Sequence, residues 1–232
     1  MTFKFEMALW RMTNAEKFYD AAMRLPIVAY QLFLISRELS AIRGLVALHP
    51  YFGGDWAFLM AVSARVAGVI FITVILLLSI SRFRPVSKYS SWNPKITALL
   101  GTLFTYFILL TPRSPSHALW DSLSTVLILI GTTMAILAVL DLGRCMSIMP
   151  EARKLVTSGL YGRIRHPLYL AEEIAVLGFC LQFRTWQAVP IILVHLYFQI
   201  RRMDFEEGIL AQAFPAYAGY RQRTHRLLPG LY

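Results

Sequence analysis

Arg165, His166 and Pro167 stand in the stretch Ser158–Tyr169, with Tyr161 before them, Tyr169 after them, and Arg153 and Arg163 adding further positive charge. Pro167 suits the first residue of a helix, where the missing N–H would have no intrahelical partner in any case. Gly159 and Gly162 let the chain turn tightly and let a ligand approach the backbone. A basic, glycine-bent turn feeding a helix N-terminus is a place for an anion. Further along, beyond a short apolar hairpin, come Arg202, Glu206 and Glu207. An arginine of this kind can clamp a carboxylate, and the two glutamates can hold an ammonium or hydroxyls. Membrane anchoring by positive charge accounts for Arg201 and Arg202 taken alone, and a solvated helix face accounts for Glu206 and Glu207 taken alone. Neither accounts for both halves meeting around one hairpin.

The elements that must position these residues are membrane helices. Of the 232 residues, 57% are hydrophobic and only 16% charged, and the mean hydropathy is +0.55. Soluble domains run at roughly 45–50% apolar and about 25% charged. Long apolar stretches recur and period-two alternation does not, so the class is an all-α, polytopic integral membrane protein rather than a barrel. Six segments are expected: 26–48, 56–80, 96–110, 119–140, 168–183 and 186–200, the last two forming a hairpin. Segment 26–48 carries Arg37, Glu38 and Arg43, so a span and an interfacial helix both fit it. With the N-terminus placed inside, eighteen Lys and Arg residues fall in inside connections, and Arg113 and Arg184 are the two outside. That asymmetry favours a spanning first segment, cytosolic termini and a site on the cytosolic side.

Residues 1–25 mix both charges without an uncharged apolar core and read as a short cytosolic helix rather than a signal peptide. After Ile200 an amphipathic cytosolic tail is expected, with Leu210, Phe214 and Tyr217 on one helical face and Pro215 opening a second helix. The net charge of +10 sits in the connections between apolar stretches, with no basic run interleaved with aromatics, so nucleic acid is not expected as a partner. Cys145 and Cys180 show no metal-ligand spacing and read as plain apolar residues; no metal site is expected. Arg65 lies inside an apolar segment, where snorkelling, pairing with Glu38 and a functional role all remain open. His49, His117 and His195 have no partner at a telling spacing and read as structural.

Gly159-x-Tyr161-x-x-x-Arg165-His166-Pro167-x-Tyr169, a helical hairpin, Arg202-x-x-x-Glu206-Glu207-x-x-Leu210, then Phe214-x-x-Tyr217-x-x-Tyr220 and a closing Pro-Gly resemble the isoprenylcysteine carboxyl methyltransferase family. That family is related to the phospholipid N-methyltransferases. The resemblance covers about residues 140–232, taken as the methyltransferase region, and leaves 1–139 as N-terminal membrane helices. It implies S-adenosylmethionine as methyl donor, held by Gly159, Tyr161, Arg165, His166, Pro167, Tyr169, Arg202, Glu206 and Glu207, with Arg165, Arg202 and Glu207 the catalytic set. It also implies a lipophilic or prenylated acceptor reaching the site from the membrane lipid. Many members have a glycine soon after the motif tyrosine, whereas this chain reads Tyr169-Leu-Ala-Glu172-Glu173 and so sets two carboxylates near the site.

Methyl transfer from a sulfonium is an in-line displacement that rests on positioning and desolvation. His166 can hold the donor or act as a base. A nicotinamide-dependent sterol-type reductase has a similar Arg-His-Pro-x-Tyr tail, but on a much longer chain, and a non-catalytic membrane scaffold would have no need of both halves of the motif. Small residues on segment four (Gly131, Thr132, Thr133, Ala135, Ala138) offer either room for an apolar acceptor between segments four and five or close helix packing.

Overall fold

The computed structural model describes residues 14–51, 55–112, 114–115 and 117–230. The earlier reading of residues 1–25 as a separate helix falls partly outside them, and residues 52–54 of the first connection lie outside too. α1 (Asn14–Ala47) runs unbroken through Pro26 and pairs with α2 (Asp55–Ser81) as an antiparallel hairpin. Gln31 donates to Ser79 Oγ at 3.3 Å, and Arg65 meets Glu38 at 2.9 Å. Burial of an unpaired guanidinium in hydrocarbon is costly, and this pairing is how Arg65 avoids it.

After α2, β1 (Ser87–Lys88) pairs antiparallel with β2 (Glu151–Ala152), tying two surface connections together. α3 (Asn93–Leu103) tightens into a 3₁₀ helix over Phe104–Leu110 and packs on α6 (Ala188–Ala213). α4 (Ala118–Leu142) packs on α2 and, most extensively, on α5 (Pro167–Cys180). α7 (Tyr217–Arg223) follows α6 and lies against it.

Among the described residues three helices are long and apolar enough to cross a membrane, over Arg24–Ala47, Asp55–Ser81 and Ala118–Cys145. The other three expected segments differ for identifiable reasons. α3 gives way to a 3₁₀ helix, α5 has 14 residues, and the second half of α6 is charged. The tail expected after Ile200 is also different. α6 continues through Arg201 and Arg202 to Ala213, and Phe214 is extended (φ −132°), so Leu210, Phe214 and Tyr217 do not share one helical face. Pro215 leads into the second helix as expected, which starts two residues later.

The α4–α5 seam is closed by backbone contact. A Cβ on Gly131 would lie 2.5 Å from Ala175 N, and one on Gly178 would lie 2.7 Å from Ser124 O. Ala135 and Ala138 are buried in the same seam. Gly131, Ala135 and Ala138 therefore serve helix packing, and the face carrying Gly131 has no room for an acceptor chain, while Thr133 is exposed. α5 and α6 behave oppositely. Their backbones stay apart, and long polar side chains span the gap.

Candidate functional site

The motif turn is built from both directions along the chain. Gly159 takes φ +61°, a left-handed conformation that suits glycine. The space beside it is filled by the Asp141 carboxylate from the end of α4, which accepts the Leu160 N–H at 2.7 Å. From the other side, the segment after α7 lies along the turn as one bridge of parallel strand. Arg165 N–H donates to His225 O at 2.8 Å, and His166 N–H to Arg226 O at 3.1 Å. Tyr220 Oη donates to Tyr161 O at 2.7 Å. Pro167 then opens α5 at its first position, as expected.

Behind the turn, Glu207 gathers the cations. Its Oε1 lies 2.9 Å from Arg165 Nε, 3.0 Å from His166 Nε2 and 3.4 Å from Arg226 Nε. Arg165 uses Nη1 to donate to the carbonyls of Arg221 and Thr224. Burial would raise the Glu207 pKa, but the hydrogen bonds from His166 and Arg165 and their charges prevail and bring it to about 2. A carboxylate so surrounded is a structural hub, and it does not line the cavity described next.

The cavity opens where the end of α4, the motif turn, α6 and α7 meet. Of the nine residues expected to hold a donor, Tyr161, Arg165, His166, Tyr169, Arg202 and Glu206 line it, while Gly159, Pro167 and Glu207 stand behind it. Tyr169 Oη donates to Glu206 Oε1, and Arg202 stacks its guanidinium over the Tyr169 ring at 4.9 Å. Arg202 also donates to Thr102 Oγ1 and Ile148 O, both at 3.2 Å, and its Nε lies 3.7 Å from Glu206. Arg153 and Lys154, outside the expected set, line the same cavity, Arg153 being deeply buried beside Glu151. Burial, together with the Glu206 charge, pushes the Tyr161 hydroxyl well above its ordinary pKa, and burial pushes Tyr220 up to about 12. Both are neutral hydrogen-bonding groups at physiological pH.

Two buried polar atoms on this wall, Tyr217 Oη and Arg202 Nε, have no hydrogen-bond partner among the described residues. Unsatisfied buried donors are rare and call for a ligand or water. The wall thus offers cations for a carboxylate (Arg153, Lys154, Arg202), a carboxylate for an ammonium or ribose (Glu206), and aromatic faces at Tyr161 and Tyr169. The donor set of S-adenosylmethionine fits this chemistry.

Residues 120–216 match the phospholipid methyltransferase family. The match takes in α4, which the motif reading left out, and stops short of α7. The chain is also 28% identical over 148 residues to the "Cobalt-zinc-cadmium resistance protein CzcN" of Cupriavidus metallidurans, across 60% of this chain and 62% of that protein. The chain thus spans about three fifths of the length of that curated relative. The match over residues 120–216 takes in Arg165-His166-Pro167 and Glu206-Glu207, and it agrees with the resemblance read from those residues.

Sequence reading missed one feature of the hairpin. His195, read as structural for want of a spaced partner, has two partners from other helices. Its Nε2 lies 3.0 Å from Glu173 Oε1 and its Nδ1 lies 2.9 Å from Thr105 Oγ1. Gln199 donates to Glu172 at 3.0 Å. The signal was present as the spacing His195-x₃-Gln199-x₂-Arg202-x₃-Glu206, a polar stripe along one face of α6 that begins within its apolar first half.

Proposed function

We propose that this protein is an S-adenosylmethionine-dependent methyltransferase that passes a methyl group to a lipophilic acceptor dissolved in the bilayer. What supports the reading most is a mixed-charge cavity with orphaned polar atoms on its wall, formed by the residues that carry the family motif. The donor supplies an electrophilic methyl group on a positively charged sulfur. Arg202 and Arg153 fix its carboxylate, Glu206 takes its ammonium or ribose hydroxyls, Tyr217 donates its free hydroxyl, and Tyr161 and Tyr169 flank the adenosine. His166 is held by Glu207 and serves to shape the turn. Catalysis then rests on alignment in a site shielded from water.

Six membrane segments, cytosolic termini and a cytosolic cavity mouth complete the proposal, supported by the distribution of Lys and Arg. α3 with its 3₁₀ continuation rises about 30 Å at the usual 1.5 and 2.0 Å per residue, which matches a hydrocarbon core. We read residues 140–232 as the donor-binding region and 1–139 as scaffold, with α4 continuous across the boundary. A prenylated carboxylate of the isoprenylcysteine type is one acceptor to be tested among others. The test is calorimetric titration of the purified chain with S-adenosylhomocysteine and with reduced nicotinamide cofactor. Micromolar binding of the first and none of the second is expected, and the reverse result overturns the reading.

A further inference from the structure

The α5–α6 hairpin carries five carboxylates, and four are committed. Asp204 is held by Arg226 and Arg201. Glu207 is held by Arg165, His166 and Arg226. Glu206 is held by Tyr169 and Arg202. Glu173 is held by His195, whose other nitrogen meets Thr105. Glu172 differs. Among the described residues its hydrogen bond comes from the neutral amide of Gln199, at 3.0 Å; the Arg202 charge acts on it without a hydrogen bond, and the side chain is half-buried rather than enclosed.

Position adds to this. Tyr169 and Arg202 are on the cavity wall. Glu172 lies three residues beyond Tyr169 on α5, and Gln199 three residues before Arg202 on α6, so their pair forms the next rung of the hairpin, away from the motif turn. Neither Glu172 nor Gln199 lines the cavity; the pair stands about one helical turn beyond the Tyr169 and Arg202 wall. Gln199 is itself deeply buried, and its Oε1 has no hydrogen-bond partner, so this rung has an unmet polar group of its own. The titratable and charged groups around Glu172 are Glu173 and Tyr169 on α5, Arg202 and His195 on α6, and Tyr161 on the motif turn.

We infer that Glu172, positioned by Gln199, is the proton acceptor for a protic lipophilic acceptor, a thiol or an amine, and that carboxylate acceptors are excluded. The inference rests on the methyltransferase reading above. In the step, the nucleophilic atom forms its bond to the methyl carbon as the carbon–sulfur bond breaks and its electron pair returns to sulfur. The hydrogen leaves the nucleophile as a proton and binds a Glu172 oxygen. A carboxylate acceptor releases no proton on methylation and would meet the Glu172 carboxylate in a medium that screens it poorly.

The experiment uses the full chain in phosphatidylcholine nanodiscs. S-adenosylhomocysteine binding is measured first, by calorimetry. No binding by the wild type overturns the methyltransferase reading, and this inference with it. With binding established, transfer of radiolabelled methyl is followed to hexadecanethiol, hexadecylamine and hexadecanoic acid. Label is expected on the thiol or the amine and not on the acid. Glu172→Gln should lower kcat for that probe about 100-fold, the usual lower range for a lost general base, with S-adenosylhomocysteine affinity unchanged and part of kcat restored in Glu172→Asp. Without donor, a diazirine-bearing hexadecanoate should label α5 more strongly in Glu172→Gln than in the wild type. The assignment is overturned by any of the following: label on hexadecanoic acid, label on none of the three probes, unchanged kcat or photolabelling in Glu172→Gln, or loss of S-adenosylhomocysteine binding in that variant.

Discussion

The Asp141 carboxylate occupies the space that a side chain on Gly159 would need, and it accepts the N–H of the next residue, Leu160, at 2.7 Å. One contact thus fixes the end of α4 to the start of the motif turn. Gly159→Ala meets both this obstruction and a φ of +61°, and it should destabilise the protein by about 2 kcal/mol or more. Thermal unfolding in detergent measures this. Asp141→Ala introduced into that variant should recover part of the loss, because the two changes share one contact.

Glu207→Ala should unfold the motif turn rather than merely weaken donor binding. It leaves Arg165, His166 and Arg226 facing one another without the carboxylate between them, and breaking a buried pair in this way costs about 3 kcal/mol. The pH dependence has a definite sign. The folded pKa is depressed to about 2, so the stabilisation is complete above the unfolded carboxylate value near 4.3 and is lost as the pH falls towards 2. Thermal midpoints of the wild type should drop across that window, and those of Glu207→Gln should drop less.

Tyr217→Phe separates holding the fold from holding the donor. The hydroxyl makes no hydrogen bond among the described residues, so its removal should leave the unfolding temperature unchanged or raise it. If the donor supplies the missing partner, S-adenosylhomocysteine affinity should fall about threefold to tenfold, the range for one neutral hydrogen bond. Unchanged affinity in calorimetry would place the donor elsewhere in the cavity.

Gly131→Ala should cost about 1–3 kcal/mol, because its new Cβ would lie 2.5 Å from backbone on α5. Gly131→Trp should fail to fold instead of raising the KM for a lipid. Gly68→Ala is the control. Nothing lies within 4 Å of its new Cβ, and the change should be neutral or mildly stabilising, as for a helical glycine. Expression with thermal scanning distinguishes the three.

Reporter fusion at Thr185 should read as external if six segments cross. A cytosolic reading there would mean that α5 and α6 enter the bilayer and return on the same side.

The sequence made the membrane class and the motif legible because each is a local signal: apolar length, Pro after Arg-His. The connection between α5 and α6 was expected to be two residues and is seven, 181–187, because the last turn of the expected fifth segment and the start of the sixth are not helical. It pointed to Glu207 and Arg165 as chemical groups on identity alone. What could not be read was which partner each would find. Whether Glu207 faces a cavity or two arginines and a histidine depends on where residues 224–226 return, and that is set by tertiary contact. His195 was passed over for the same reason, since Glu173 and Thr105 reach it from other helices. The α4 glycines permitted two opposite readings until the position of α5 decided between them.

The backbone bridge between Ile164–His166 and His225–Arg226 also has a consequence in time. Chains are made and inserted from the N-terminal end, so all the described membrane helices are synthesised before residues 225 and 226 exist. Until those residues emerge, the N–H groups of Arg165 and His166 lack their partners and Glu207 lacks Arg226. The protein therefore completes its long apolar helices first and the cavity wall last, and a nascent chain stalled after α6 has the helices without the closed motif turn.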